Sequence, residues 1–332
     1  MKELFDSFNE QKIMIVGDVM LDVYMKGKVE RISPEAPVPI VSVTETFSRL
    51  GGAANVAQNL KSLGTKPILC SVIGNDDKSN ELLNLMSEQN MTTSGIVKSN
   101  ERITTRKVRI ISNNAQMLRV DTEDTFDLTK KEHDLLMTEI KNIINNENID
   151  GIILQDYNKG VLTENIIKEV ISLANERNIP VGVDPKKKNF LAYKNVTFFK
   201  PNLKELREGI GISSKEESID DITKAIDSLH EILNCRYIMT TLSERGVLIK
   251  DYETGICHHI PAHLRKIADV SGAGDTVLSV AMLCLVCKQE AYNIAALSNL
   301  AGGIVCEELG VAPINKERLF EESNKTSPSI IK

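Results

Sequence analysis

The sequence predicts an α/β protein in three layers: a mostly parallel sheet with helices on both faces, and a small antiparallel β lid over one rim. Three observations carry this. Short apolar runs alternate with longer segments of helical period. The runs end repeatedly in Gly, Asp, Asn, Thr or Ser. Two further stretches break the alternation and have the character of antiparallel strands.

The apolar runs are KIMIVGD (12–18), PILCSVIG (67–74), DGIILQDY (150–157), PVGVDP (180–185), VTFFKPN (196–202) and RYIMTTLS (236–243). Strands with one wet face alternate polar and apolar residues. These are nearly continuous, so both faces are expected to be buried. Between them, ANVAQNLKSL, TENIIKEVISLANERN and IDDITKAIDSLHEILN repeat apolar residues three and four apart, which predicts helices. In open parallel sheets ligands sit beyond the carboxyl ends of the strands. Those ends carry Gly17-Asp18, Gly74, Asp156, Asp184, Asn202 and Thr241 to Ser243, so one polar rim is expected to form the site.

The two exceptions are VYMKGKVERISPEAPVPIVSV (23–43) and ERITTRKVRIISNNAQMLRVD (101–121). In the second, alternation puts Arg106, Val108 and Ile110 on one face and Thr105, Lys107 and Arg109 on the other. Asn113-Asn114 suits a hairpin turn. Lid segments are expected at about 22–45 and 101–121, within a single domain spanning 1–330.

With 332 residues, 42% of them hydrophobic, the chain is long enough for a sizeable core. A net charge of -6 argues against a nucleic-acid partner, which wants a basic face. No apolar stretch approaches the roughly 20 residues that cross a bilayer, so no membrane partner is expected. The start, MKELFDSFNEQK, lacks the apolar core of a secretion signal. The six cysteines show no disulfide spacing, and a cytoplasmic location is expected. Cys284 and Cys287 lie in an apolar helix as core thiols. His258 and His259 are strand neighbours pointing to opposite faces, so with Cys257 and His263 they are not expected to converge on a metal.

Three stretches carry chemistry. In DVSGAGDTV (269–277), glycines precede an apolar helix. The amides of Gly272, Ala273 and Gly274 at such a helix start can cradle an anion. Asp275 either caps the helix or takes a proton from a hydroxyl that attacks a bound phosphate. In KPNLKEL (200–206), Asn202 and Glu205 share a helix face, as a cap or as holders of the waters of Mg²⁺. In LGGAANVAQNLKSLG (50–64), Gly51-Gly52 let backbone approach a ligand, and Asn55 sits in the helix's first turn. There is no Walker A loop, and GAGDTV lacks the final glycine of a dinucleotide fingerprint.

In this order, G-G-A-x-N-x-A, N-x-x-E and D-x-[ST]-G-A-G-D resemble the ribokinase-like (PfkB) carbohydrate kinases over essentially the whole chain. Ser271 stands where threonine is commoner. The resemblance implies a ribokinase-like fold and ATP as co-substrate with Mg²⁺, together with a monovalent cation such as K⁺. It implies that Asp275 is the catalytic base and that Gly272, Ala273 and Gly274 form the anion hole. Asn202 and Glu205 would organise Mg²⁺, through water. Asp18, Asp22, Gly52 and Asn55 would meet sugar hydroxyls. TLSERG, with Thr241, Ser243, Glu244 and Gly246, looks like the nucleotide loop, and Asn299 falls where adenine is lined. A catalytically silent sensor on this fold would be expected to lack the base, a glycine or the N-x-x-E. All are present.

GDVMLDVY, RISPEAPVPIV, the run Thr104 to Asp121 (with Lys107, Arg109, Asn114, Gln116 and Arg119), QDYNKGVL and VDPK are similar to the heptose-7-phosphate kinases of that family. This implies transfer of the γ-phosphate to the anomeric hydroxyl of D-glycero-D-manno-heptose 7-phosphate, for ADP-heptose and lipopolysaccharide-core synthesis. Gln155 and Asn158 stand where that group usually has small residues. A phosphorylated substrate needs cations at the rim, and Lys107, Arg109, Lys159 and Lys186 are candidates. The chain ends at Lys332 without an adenylyltransferase extension, so kinase activity alone is expected. A homodimer through the lid is expected.

Overall fold

The computed structural model describes residues 1–113, 115–211 and 218–325; Asn114 of the expected hairpin turn lies outside them. Thirteen strands are seen among the described residues. They are β1 (Lys12–Gly17), β2 (Val19–Ile32), β3 (Pro39–Gly52), β4 (Lys66–Gly74), β5 (Ile96–Ser99), β6 (Arg106–Ser112) and β7 (Ala115–Thr122). There follow β8 (Gly151–Gln155), β9 (Val181–Asp184), β10 (Phe198–Phe199), β11 (Tyr237–Thr241), β12 (Val247–Asp251) and β13 (Cys257–Ile260). The helices are α1 (Lys2–Ser7), α2 (Ala53–Ser62), α3 (Asp77–Glu88), α4 (Lys130–Asn146) and α5 (Glu164–Glu176). They continue with α6 (Leu203–Ile210), α7 (Ile219–Leu233), α8 (Ala273–Val286), α9 (Ala291–Val305) and α10 (Lys316–Lys325).

Nine strands form one sheet in the order β13-β12-β11-β10-β9-β8-β1-β4-β5. The seven from β11 to β5 pair in parallel, and β12 and β13 add antiparallel edges. Alternation within β1 shows how the layers arise. Ile13 and Ile15 enter the core that also holds α2, α8 and α9, while Met14 and Val16 enter the core with α4, α5 and α7. Both faces are apolar, so the strand reads as one continuous run. The chain leaves β1 for β4 on one side and later returns to β8 on the other. The crevice between the carboxyl ends of β1 and β8 is thus a topological switch point, where ligands of such sheets bind.

The site depends on α8. It is apolar all round and buried from Asp275 to Cys284, packed against the middle of the sheet. A side chain at Gly182 of β9 would put its Cβ 2.2 Å from Met282 Sδ, so this glycine lets the helix close on the strands. The start of α8 is thereby held at the carboxyl ends of β8 and β9.

The lid is a second sheet, ordered β3-β2-β6-β7, in which β2 and β6 run parallel. Its first segment reaches from Val19 to Gly52, further than 22–45, because the strand ends dive into the core at Leu21, Val23 and Leu50. Its second segment pairs only from Arg106, since Thr104 and Thr105 are buried beneath it. β10 shrinks to two residues of the expected 196–202. β5 and β12 were not expected: they are four and five residues long and lie toward the sheet's edges. No helix among the described residues is long and apolar enough to cross a membrane.

Candidate active site

The Asp275 carboxylate sits in the first turn of α8 and is 4% exposed. Gly272 precedes the helix at φ 81, in the left-handed region that favours glycine. A Cβ there would lie 3.0 Å from Asn55 Nδ2 and 3.3 Å from Val311. Gly272→Ala should therefore displace Asn55 and cost about 1–2 kcal/mol in backbone strain, to be read from urea denaturation and from turnover. The Ala273 N–H closes a turn on the Val270 carbonyl at 3.3 Å.

Asn55 Nδ2 donates to Asp275 Oδ2 at 2.7 Å. Tyr157 Oη donates to Oδ1 at 2.7 Å, and Gln155 Nε2 to the same oxygen at 3.2 Å. Asn59 sets the orientation of Asn55 by donating to its Oδ1 at 3.3 Å, while accepting from Thr276 Oγ1 at 2.9 Å. Burial pushes the Asp275 carboxyl up to about 6, against the hydrogen bonds from Asn55 and Tyr157. The nearby Asp184 charge pushes the same way, and Lys200 opposes it.

Beside this carboxylate lies a cluster of opposite charges. Lys200, buried at the end of β10, places Nζ 2.9 Å from Asp184 Oδ2. Lys186 bridges Asp184 Oδ1 at 3.3 Å and Glu205. Burial would raise the Asp184 carboxyl, but Lys186 and Lys200 together hold it below the usual range. An added Cβ on Gly274 would lie 3.7 Å from both Asp184 and Lys200, which places the cluster against the SGAGD turn. Asn202 and Glu205 form a capping box at the start of α6: Glu205 N–H donates to Asn202 Oδ1, and Asn202 N–H to Glu205 Oε2. Both motif residues are thus committed locally. Asp184 and Glu205 already converge on a cation, the Lys186 ammonium, so this pair of hard oxygen donors fits a hydrated Mg²⁺. Asn202 would then act through the cap.

The early aspartates divide. Asp18 spends its carboxylate on the loop after β8, accepting from the amides of Tyr157 (2.8 Å), Lys159 (3.1 Å) and Val161 (3.0 Å). It anchors that loop. Asp22 pairs with Arg109, and the Gly51 Cα would carry any Cβ to 2.2 Å from Asp22 Oδ2. Burial raises the Asp22 carboxyl, and Arg109 opposes the rise. Gly52, at φ 61, starts α2 close to the Asp18 carbonyl.

The four candidate cations do not form one group. Lys107 and Lys159 share Glu123 at 2.9 and 2.7 Å, and Lys107 also meets Asp121 at 3.0 Å. Arg109 faces Asp22 on the same lid strand as Lys107, whereas Lys186 belongs to the Asp184 cluster. The lid is also tied to the SGAGD turn. Tyr24 Oη accepts from Val311 N–H at 3.0 Å, and Arg49 donates to the Val311 carbonyl at 2.6 Å. Asp269 accepts from Gly310 N–H at 3.0 Å and from Ser271 N–H at 2.9 Å.

On the other side, Thr241 forms a parallel bridge with Asn202, which brings the 241–246 loop to the N-x-x-E. Ser243 and Gly246 take positive φ of 55 and 87, and Glu244 is exposed. Asn299 on α9 donates to the Pro261 carbonyl at 2.9 Å. Sequence reasoning missed Tyr157, Gln155 and Lys200 as parts of the site, although all three lie in stretches it singled out. His258 packs on Tyr292 while His259 turns to the Arg245 carbonyl, so the two diverge. Cys284 is fully buried and Cys287 partly so.

Known proteins share this fold. The pfkB family carbohydrate kinase pattern matches residues 10–318. Bifunctional protein HldE of Helicobacter pylori (strain P12) is 37% identical over 325 residues, covering 97% of this chain and 68% of that protein. The HldE of Aliarcobacter butzleri (strain RM4018) is 37% identical over 309 residues, 93% of this chain and 63% of that protein. The chain therefore spans roughly two thirds of the length of these relatives. The crystal structure of phosphofructokinase-2 from Escherichia coli in complex with potassium superposes with a TM-score of 0.78 at 19% identity, covering 94% of this chain and 97% of that one. Arabidopsis thaliana ribokinase complexed with ribose and ATP gives 0.72 at 14% identity, covering 94% and 98%. The fold is ribokinase-like, and the family pattern and the relatives run along nearly the whole chain: it belongs to the pfkB family of carbohydrate kinases.

Proposed function

We propose that this carbohydrate kinase transfers the γ-phosphate of ATP to the anomeric hydroxyl of D-glycero-D-manno-heptose 7-phosphate. The observation that carries the reaction is Asp275: a buried carboxylate at a helix start, beside a glycine turn and the ion pair of Lys200 with Asp184. The sugar assignment is supported by the lid and loop sequences that resemble heptose-7-phosphate kinases, and by cations on the lid. Asp275 takes the proton of the anomeric hydroxyl as its oxygen bonds to the γ-phosphorus, and the bond to the bridging oxygen breaks toward ADP. The start of α8 at Gly272 to Gly274, with Lys200 behind it, stabilises the developing charge. Mg²⁺, held by Asp184 and Glu205 through water, would supply further neutralisation of the phosphates. Thr241, Ser243 and Gly246 would shape the nucleotide side.

Lys107 and Lys159 would receive the substrate's phosphate, which takes over from Glu123 as their partner, with Arg109 two residues along the strand from Lys107 and paired to Asp22. Losing one charged hydrogen bond of this kind costs about 1.5–3 kcal/mol. Lys159→Ala should therefore raise the KM for the sugar phosphate roughly 10- to 100-fold and leave the KM for ATP nearly unchanged in steady-state assays.

The pH dependence has a fixed sign. A base must be ionised, and Asp275 titrates at about 6. kcat/KM should be flat above about pH 7 and fall tenfold per pH unit well below 6. A rate profile on the parent protein checks this.

A homodimer through the lid belongs to the same proposal. Leu118 and Val120 of β7 are 56% and 46% exposed. Potassium activation is also proposed, since the Escherichia coli phosphofructokinase-2 neighbour is described in complex with potassium. A cytoplasmic setting suits an ATP-dependent enzyme with free cysteines. The test is ADP release with Mg·ATP and a panel of heptose 7-phosphate, fructose 1-phosphate, fructose 6-phosphate, ribose and fructose. Turnover confined to the heptose phosphate supports the reading, and turnover on another sugar alone overturns it.

A further inference from the structure

Three donors occupy the Asp275 carboxylate: Asn55 on Oδ2, Tyr157 and Gln155 on Oδ1. A carboxylate offers about four lone-pair positions, so little of this one is open. A general base must come within about 2.6–3.2 Å of the hydroxyl whose proton it takes. The Tyr157 hydroxyl, 2.7 Å from Oδ1, stands at that distance. The ring behind it is held. Its backbone is pinned by Asp18, and the Lys186 ammonium lies 5.6 Å from the ring centroid. The hydroxyl itself can still turn, because it donates one hydrogen bond and accepts others.

We propose that Tyr157 acts as a surrogate acceptor: its hydroxyl fills the nucleophile's place on Asp275 until a sugar displaces it, and so keeps water from being phosphorylated. The inference rests on the reading of Asp275 as the base. The reaction suppressed is the hydrolysis of ATP. In it a water oxygen bonds to the γ-phosphorus and one water proton passes to Asp275. The bond to the bridging oxygen breaks with its electron pair, leaving ADP and inorganic phosphate. Phenylalanine at 157 would leave an Oδ1 lone pair facing a gap of hydroxyl size. A buried carboxylate recruits water into such a gap rather than remain unpaired. When the sugar enters, its anomeric hydroxyl takes over the bond to Oδ1, and the Tyr157 hydroxyl turns to the sugar.

The experiment measures inorganic phosphate released from Mg·ATP without sugar. Tyr157→Phe should raise this rate about tenfold or more, and the double variant with Asp275→Asn should lose the gain. A position that merely supports the fold would not raise hydrolysis. The inference is overturned if Tyr157→Phe hydrolyses ATP at the parental rate while still phosphorylating the sugar the parent accepts. It is equally overturned if the gain survives in the double variant. Should Tyr157→Phe fail to fold, seen as loss of thermal stabilisation by ATP, Tyr157→Met removes the same hydroxyl and carries the same expectation and the same refutation. Sugar-dependent turnover retained by Asp275→Asn alone would sink the base reading instead, so the two failures are distinguishable.

Discussion

Asp275→Asn lowers kcat by about 10²- to 10⁴-fold, the usual contribution of a positioned general base, while ATP still binds. The side chain is nearly isosteric, and Asn55 and Tyr157 remain around it, so the start of α8 should keep its shape. Stability moves the other way. Burial raises the folded-state carboxyl to about 6, roughly two units above an unfolded aspartate, so ionising it in the fold costs about 3 kcal/mol. For an acid raised in this way, the cost is absent below the unfolded value and fully present above about pH 6. At pH 7 the Asn variant escapes it and should melt no lower than the parent. Loss of turnover with an unchanged or higher Tm is the expected pair of results, from an ADP-release assay and thermal denaturation. A lower Tm with partial turnover would assign Asp275 to capping the helix.

Arg102→Met is expected to lower unfolding free energy by about 3–5 kcal/mol, the effect of breaking a buried ion pair from one side. Arg102 Nε lies 3.0 Å from Glu132 Oε1, and both side chains are almost wholly buried. Its remaining nitrogens donate to the carbonyls of Lys159 at 3.2 Å and Phe126 at 3.3 Å. Methionine fills the volume but leaves a buried carboxylate and two carbonyls without these donors. Urea denaturation reads the loss. Because Lys159 belongs to the loop that carries Tyr157, the same variant should raise the KM for sugar.

How much of this was legible in the sequence depended on whether a residue's role is set by its neighbours in the chain. β1, β4 and β8 were visible because strands buried on both faces write continuous apolar runs. The SGAGD turn was visible because only glycine tolerates φ 81 at residue 272 and the helix behind it is apolar throughout. Asp18 and Asp22 look alike in GDVMLDVY. Only the fold shows that one accepts from the 157–161 amides and the other faces Arg109. Lys186 resembled the lid cations until Asp184 and Glu205 claimed it. Tyr157 closed an apolar run, DGIILQDY, and Lys200 opened KPNLKEL without a reading of its own. Both roles depend on a helix more than 70 residues further along the chain.

The ties at residues 309–311 have a mechanical meaning. Tyr24 and Arg49 of the lid grip the same short segment that Asp269 clasps from the side of the SGAGD turn. Under the proposed reaction, a lid that moved with its sugar would pull on the SGAGD turn through this segment. Sugar and nucleotide would then share a lever, and each would tighten the other by the same factor.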